Sequence, residues 1–196
     1  MKLRAGIWPA AVLLLIASGC GRGFRTPHWR VGQWVRYSVT SSGKTWQLEY
    51  ALVGEEKSGE SQLFWLETRR FDGKDTLFVK WLVPAGLNGP AERVLVGKGT
   101  SASVMVDGPG LPQKAERVRS SEGQSLAVLE SVETPAGPFL SERYARPSGP
   151  IWLSSKVPIF GVVRSKGEEG ELMLVGYGQK GATSKLTEAP DIVTIP

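Results

Sequence analysis

The chain has 196 residues, a hydrophobic fraction of 41% and a formal net charge of +5. Part of that charge lies in a predicted signal peptide, so the rest of the chain is only weakly basic, which argues against nucleic-acid binding. His28 and Cys20 are the only histidine and cysteine, and this excludes Ser/His/Asp and Cys/His catalytic machinery and the usual zinc and copper sites. We therefore predict a non-enzymatic protein without catalytic residues, metal ligands or cofactors.

Residues 1–19 have the features of a secretory signal peptide. Lys2 and Arg4 provide a basic start, residues 5–16 are apolar, and residues 17–19 are small. As a helix the apolar stretch would reach about 18 Å, well short of the roughly 30 Å hydrocarbon core of a bilayer. It therefore indicates a signal and not a membrane span.

Cys20 follows the sequence Ala-Ser-Gly, and this placement resembles the bacterial lipobox, in which the cysteine receives diacylglycerol before cleavage. The alternative is an ordinary secretory signal that leaves a free thiol, but a lone exported cysteine would be unpaired. We expect lipidation of Cys20 to anchor the chain firmly, because several acyl chains act together. Gly21 stands where an Asp would retain an enterobacterial lipoprotein at the inner membrane, which favours the periplasmic face of the outer membrane.

After the signal we predict a lipidated tether at 20–30, one β domain at 31–186 and a C-terminal tail at 187–196. Apolar residues recur with a period of two, which is typical of strands. Turns are indicated at "SSG" (41–43), at Asp72-Gly73 and at "TPAGPF" with Pro135 and Gly137. Predicted strand segments are 35–39, 45–52, 61–70, 75–83, 93–96, 103–106, 125–132, 139–145, 149–155, 160–166 and 171–177, with a polar loop at 107–124.

These segments predict an all-β fold: a curved antiparallel sheet, or half-barrel, of about 9–11 strands with little helix. In the segment "DTLFVKWLV", Leu77, Val79, Trp81 and Val83 share one face, but Phe78 and Leu82 are apolar on the other. A strand that is apolar on both faces lies centrally or lines a cavity. We therefore predict a hydrophobic-ligand site formed by Trp81, Phe78 and Leu82.

The chain resembles bacterial envelope lipoproteins of the LolA-like, lipoprotein-sorting-like superfamily. The resemblance lies in "VGQWVRY" (31–37), "VETPAGPF" (132–139), "WLSSKVPIFGVVRSK" (152–166) and "LMLVGYG" (172–178). It implies a half-barrel whose concavity holds acyl chains or lipoproteins. No functional residue is implied by it.

Two other patterns have structural explanations. The acidic runs "GEEKSGE" (54–60) and "GEEGE" (167–171) could bind calcium or perform acid-base chemistry, but charge at glycine-rich turns usually serves solubility. The tryptophans could line a ligand groove or fill a β core.

Three functions remain open at this point. The first is a membrane-anchored protein that binds an acyl chain, a lipoprotein or an envelope partner in the concavity. The second is a structural or assembly lipoprotein with a filled core. The third, disfavoured by the histidine and cysteine counts, is a cell-wall hydrolase.

Overall fold

The computed structural model describes residues 27–72, 75–87, 89–98, 101–107, 127–168, 170–186 and 192–194. The predicted signal peptide and Cys20 lie outside these ranges, as does nearly all of the predicted polar loop. Within these ranges, helical structure is limited to one 3-10 turn, Ala85–Leu87, and no helix is long and apolar enough to cross a bilayer.

All strands of the described residues belong to one curved, unclosed sheet, which confirms the all-β prediction. They are β1 Trp34–Ser41, β2 Lys44–Ser58, β3 Ser61–Asp72, β4 Asp75–Pro84, β5 Arg93–Lys98, β6 Ser101–Asp107, β7 Val128–Thr134, β8 Gly137–Tyr144, β9 Ile151–Leu153, β10 Val162–Gly167, β11 Gly170–Gly178 and β12 Ile192–Thr194. Their order across the sheet is β12-β6-β5-β4-β3-β2-β1-β11-β10-β9-β8-β7.

Eleven of the twelve strands pair with antiparallel neighbours, and β12 pairs parallel to β6. The eleven antiparallel strands of the described residues agree with the expected 9–11, and the parallel β12 forms in addition within the predicted C-terminal tail. A three-residue strand is too short to show an alternating pattern, so the sequence gives no sign of it.

The predicted hairpins are present. Ser42 and Gly43 join β1 to β2 with φ values of 50° and 73°, as a type I′ turn requires. Pro135 and Ala136 join β7 to β8, where the Thr134 hydroxyl accepts a hydrogen bond from the Ala136 amide. β3 and β4 pair up to Asp72 and Asp75, so the Asp72-Gly73 signal lies one residue before the two-residue loop.

The inner face of the sheet is the face that packs the main core. Alternate residues of the central strands point to it, among them Val35 and Tyr37 of β1 and Leu48, Tyr50 and Leu52 of β2. At the other end the sheet curls back, so that Phe139 of β8 contacts Tyr177 of β11 with ring centroids 5.7 Å apart. The sheet therefore encloses a core without closing into a barrel.

The outer face of the central strands is also buried in part. Leu63, Trp65, Leu82 and Leu95 form a second apolar cluster there, and Leu186 from the segment after β11 packs on it. The alternating pattern predicts that Glu49 faces water, but Glu49 is 4% exposed. The segment that covers this face, Gln179–Leu186, explains the difference.

Candidate functional site

The three predicted ligand residues do not share one surface. Trp81 faces the inner side and packs against the main core, where it is partly buried. Leu82 points to the outer side, where it is 0% exposed within the second cluster, and Phe78, four positions before it, is 5% exposed. Only Trp81 therefore remains a candidate for a ligand site on the inner face.

Strand register places two other polar residues close to Trp81. Across the sheet, Tyr50 of β2 pairs with Thr68 of β3, and Thr68 pairs with Val79 of β4. In the adjacent row of the same face, Leu66 pairs with Trp81. Thr68 lies directly opposite Tyr50, where Cβ atoms are about 5 Å apart, and diagonally from Trp81, where the distance is about 7–8 Å, so the three polar side chains follow one diagonal across the inner face of β2–β4.

Each of these three side chains carries a buried polar atom without a hydrogen-bond partner among the described residues. The atoms are the Tyr50 hydroxyl, the Thr68 Oγ1 and the Trp81 Nε1. Buried polar groups in folded proteins are nearly always hydrogen-bonded, because an unpaired one costs about 1–3 kcal/mol. Three such donors on one face indicate a place where a bound group can accept hydrogen bonds.

The surroundings of this donor group are largely apolar. Trp46, Val96 and Leu87 are partly buried against the main core on the same side. The Arg70 guanidinium lies 4.7 Å from the centroid of the Trp46 ring, as in a cation–π pair. The region therefore combines apolar walls with a few polar donors, a composition typical of small-molecule sites.

At the Tyr50 end of this region, the inner face is filled by the chain itself. Trp29 donates a hydrogen bond from Nε1 to the Ile159 carbonyl at 2.9 Å and meets Phe64 edge-on at 5.7 Å. Phe160 packs edge-on against Tyr50 at 5.1 Å. Trp29 and the connection between β9 and β10 thus fill the half-barrel in front of β2 and β3. The sequence analysis placed Trp29 in the predicted tether.

The buried tyrosines remain protonated in this environment. Burial raises the pKa of Tyr50, and burial followed by the proximity of Tyr50 raises the pKa of Tyr37. The Tyr37 hydroxyl donates to the Val162 carbonyl at 3.2 Å. Neither phenol can therefore act as a base at neutral pH, and the Tyr50 hydroxyl is available as a hydrogen-bond donor.

The donor set favours binding over chemistry. A hydroxyl of Tyr50, a hydroxyl of Thr68 and an indole N–H of Trp81 can all donate to a carbonyl or carboxyl oxygen. Among the described residues no three His, Cys, Asp or Glu side chains cluster as metal ligands. The acidic run at 54–60 has a structural role, since Glu56 accepts hydrogen bonds from Trp65 Nε1 at 2.7 Å and from Arg93.

The sequence pattern identified Trp81 but missed Tyr50 and Thr68. In the sequence pattern, Tyr50 is one of four apolar positions of one strand. Thr68 lies on another strand, which has no distinguishing motif. Only the pairing of β2 with β3 and of β3 with β4 brings them together. That register is fixed by the turns of the two hairpins, β2–β3 and β3–β4, and the period-two pattern of a single strand does not specify it.

No protein-family model matches this chain, and no curated protein is significantly similar to it.

Proposed function

We propose that the protein is a membrane-anchored lipoprotein whose half-barrel binds an acyl chain through the inner face of β2–β5. The observation that carries this proposal is the group of three unpartnered buried donors on Tyr50, Thr68 and Trp81. A carboxyl or ester oxygen at the head of an acyl chain accepts such hydrogen bonds. The apolar surroundings suit the hydrocarbon that follows it.

The anchoring part of the proposal rests on Cys20, which lies outside the described residues. A lipidated cysteine would hold the domain at a membrane that supplies acyl chains. Proximity raises the effective concentration of a ligand, so even a weak site would be occupied. The resemblance to LolA-like lipoproteins supports the same class of ligand.

A second function, structural assembly in the envelope without a small ligand, is favoured by a different observation. Trp29, Ile159 and Phe160 already fill the inner face in front of β1–β3. If the chain fills the rest of the concavity as well, no acyl chain can enter. The binding experiment separates the two functions.

The test is a titration of the purified full chain with a fluorescent fatty acid. We expect saturable binding at micromolar concentrations, with a change in tryptophan emission. Trp81→Phe and Thr68→Val remove one donor each while keeping shape, and each should weaken binding about five- to tenfold, as the loss of one net hydrogen bond of about 1 kcal/mol implies.

Trp34→Phe serves as the matched control, because Trp34 packs over Gly176 and Gly178 and lies away from the three donors. This variant should bind as the wild type does. Absence of saturable binding to the folded wild-type protein would leave the assembly function standing. Equal binding by all variants would show that the donors on Thr68 and Trp81 do not form the site.

A further inference from the structure

We propose that the outer face carries a peptide-binding groove, which the chain's own residues 183–186 occupy in cis. The groove would accept a segment of a partner protein that carries a hydroxyl residue followed, two positions later, by an aliphatic residue. This proposal is independent of the acyl-chain site, which lies on the opposite face of the sheet.

The groove is defined by two ionic side chains of β3. The fully buried Glu67 accepts hydrogen bonds from the Ser184 hydroxyl at 2.6 Å and from the Lys185 amide at 3.2 Å. Arg69 donates from Nη2 to the Thr183 carbonyl at 2.5 Å. Two charged side chains thus bind three polar groups of the segment: a carbonyl, an amide and a hydroxyl.

The fourth contact is apolar. Leu186 packs on the cluster of Leu63, Trp65, Leu82 and Leu95, directly beyond the ionic pair along the segment. The spacing between the hydroxyl of Ser184 and the side chain of Leu186 therefore sets the recognition pattern. The backbone bends at Lys185, where the Ser184 hydroxyl lies 3.3 Å from the Leu186 carbonyl oxygen, and this bend lets the hydroxyl and the aliphatic side chain both face the sheet.

The ionic pair is also held by contacts within the sheet. Arg69 also donates to Glu67 Oε1 at 2.7 Å and to Glu49 Oε1 at 2.5 Å, and Glu49 accepts a second ion pair from Arg36 at 2.6 Å. Charged groups fixed in this way lose little freedom when they bind a ligand. The groove is therefore preorganised.

The segment that occupies the groove is much less buried than the residues of β3 and β4 beneath it. Glu67 and Leu82 are 0% exposed and Leu63 is 1% exposed. No residue of the segment 179–186 is buried, and its residues are either exposed or half-buried. A segment with few buried contacts opens locally far more often than the sheet beneath it unfolds.

The segment also has a built-in hinge at its start. Gly181 adopts a φ of 96°, and nothing lies within 4 Å of the position where a Cβ would be. Just beyond it the Ala182 amide donates to the Gly32 carbonyl at 2.9 Å. Release of residues 183–186 therefore needs no rearrangement of β11, and it leaves the groove open to a competing segment.

A partner segment must overcome the tethering of the cis occupant. A short tether gives that occupant an effective concentration in the millimolar range, so a free peptide binds poorly while the cis contacts are intact. Weakening those contacts in the segment, and not in the groove, should reveal the site. This asymmetry makes the proposal testable with the full chain.

The probe is a fluorescein-labelled peptide with the sequence of residues 182–187, ATSKLT, and the readout is fluorescence anisotropy. The tested protein is the double variant Ser184→Ala/Leu186→Ala, whose changes lie at half-buried positions outside the sheet. We expect the variant to bind the peptide at least tenfold more tightly than the wild type does. A control peptide, ATAKDT, should bind to neither protein.

Failure of the folded variant to bind ATSKLT would overturn the proposal, as would equal binding of both peptides. Exchange of this segment between wild-type molecules to form a dimer would make a second copy the occupant and would also overturn it. If the variant does not fold, hydrogen exchange on the wild type decides. The amides of 182–186 should exchange at least tenfold faster than those of β3, and exchange at the same rate as β3 would contradict the proposal.

Discussion

At the scale of single residues, the decisive feature is a charged network buried on a face that sequence alternation assigns to water. Arg69 is 6% exposed and bridges Glu49 and Glu67, which are 4% and 0% exposed. Removal of the shared cation would leave the fully buried Glu67 without its ion-pair partner and Glu49 with Arg36 alone. Arg69→Ala should therefore lower the free energy of unfolding by about 3–5 kcal/mol, as measured by urea denaturation.

The matched control is Arg164→Ala. Arg164 pairs with Glu171 at 2.6 Å, but the two side chains are 26% and 33% exposed. A partly solvated pair of this kind contributes about 0–1 kcal/mol. Equal losses in the two variants would show that the network on β2 and β3 is not buried in solution.

A second residue-scale prediction concerns the pH dependence of stability through Glu56. Partial burial alone would raise its pKa, but hydrogen bonds from Trp65 and Arg93 and the charges of Arg93 and Lys80 outweigh it and lower the pKa below the ordinary 4.5. A carboxyl whose pKa is lower in the folded state stabilises the fold above its unfolded pKa, and that contribution is lost as the pH falls through the folded pKa.

Glu56→Gln should therefore destabilise the protein at pH 7, and the difference from the wild type should shrink as the pH falls below 4.5. Denaturation of both proteins at pH 7 and at pH 3 measures this. Glu55→Gln, at the neighbouring position of β2, is the control. A difference that stays constant between the two pH values would contradict the assignment to Glu56 ionisation.

At the scale of elements, two hairpin glycines differ in what surrounds them. A Cβ at Gly170, where φ is 138°, would lie 2.0 Å from the Thr40 carbonyl oxygen of β1. At Gly43, where φ is 73°, nothing lies within 4 Å. Gly43→Ala should cost about 1–2 kcal/mol for left-handed backbone alone. Gly170→Ala should cost clearly more, because β11 would have to move away from β1, and thermal denaturation of both variants should show the order.

The elements themselves were largely predictable, because each strand combines a period-two pattern with turn residues at its ends. Ser42-Gly43 and Pro135 marked hairpins that the structure contains. The strand β12 was missed because three residues carry no period. The burial of Glu49 was missed because its cover, the segment Gln179–Leu186, is distant in sequence and has no pattern of its own.

At the scale of the whole molecule, the same central strands serve two faces. β3 presents Thr68 to the inner donor group and Glu67 and Arg69 to the outer groove, at adjacent positions of one strand. This follows from the alternation of side chains along a strand. Strand β3 would therefore connect the proposed acyl-chain site to the proposed peptide groove, although the alternation along single strands shows neither the pairing across the two hairpins nor the segment that covers the outer face.

The location of the whole molecule depends on Cys20, and the prediction there is independent of the fold. If Cys20 carries diacylglycerol, the protein should fractionate with membranes and require detergent for release, because each buried CH₂ contributes about 0.8 kcal/mol. Mass spectrometry of the N-terminal peptide should show the acyl groups. Cys20→Ser should accumulate as a precursor without them, whereas Ser38→Cys, which leaves the signal intact, should be processed normally. A mature wild-type protein with an unmodified Cys20 would remove the membrane from the proposed function but would leave the two proposed sites to be tested on the full chain.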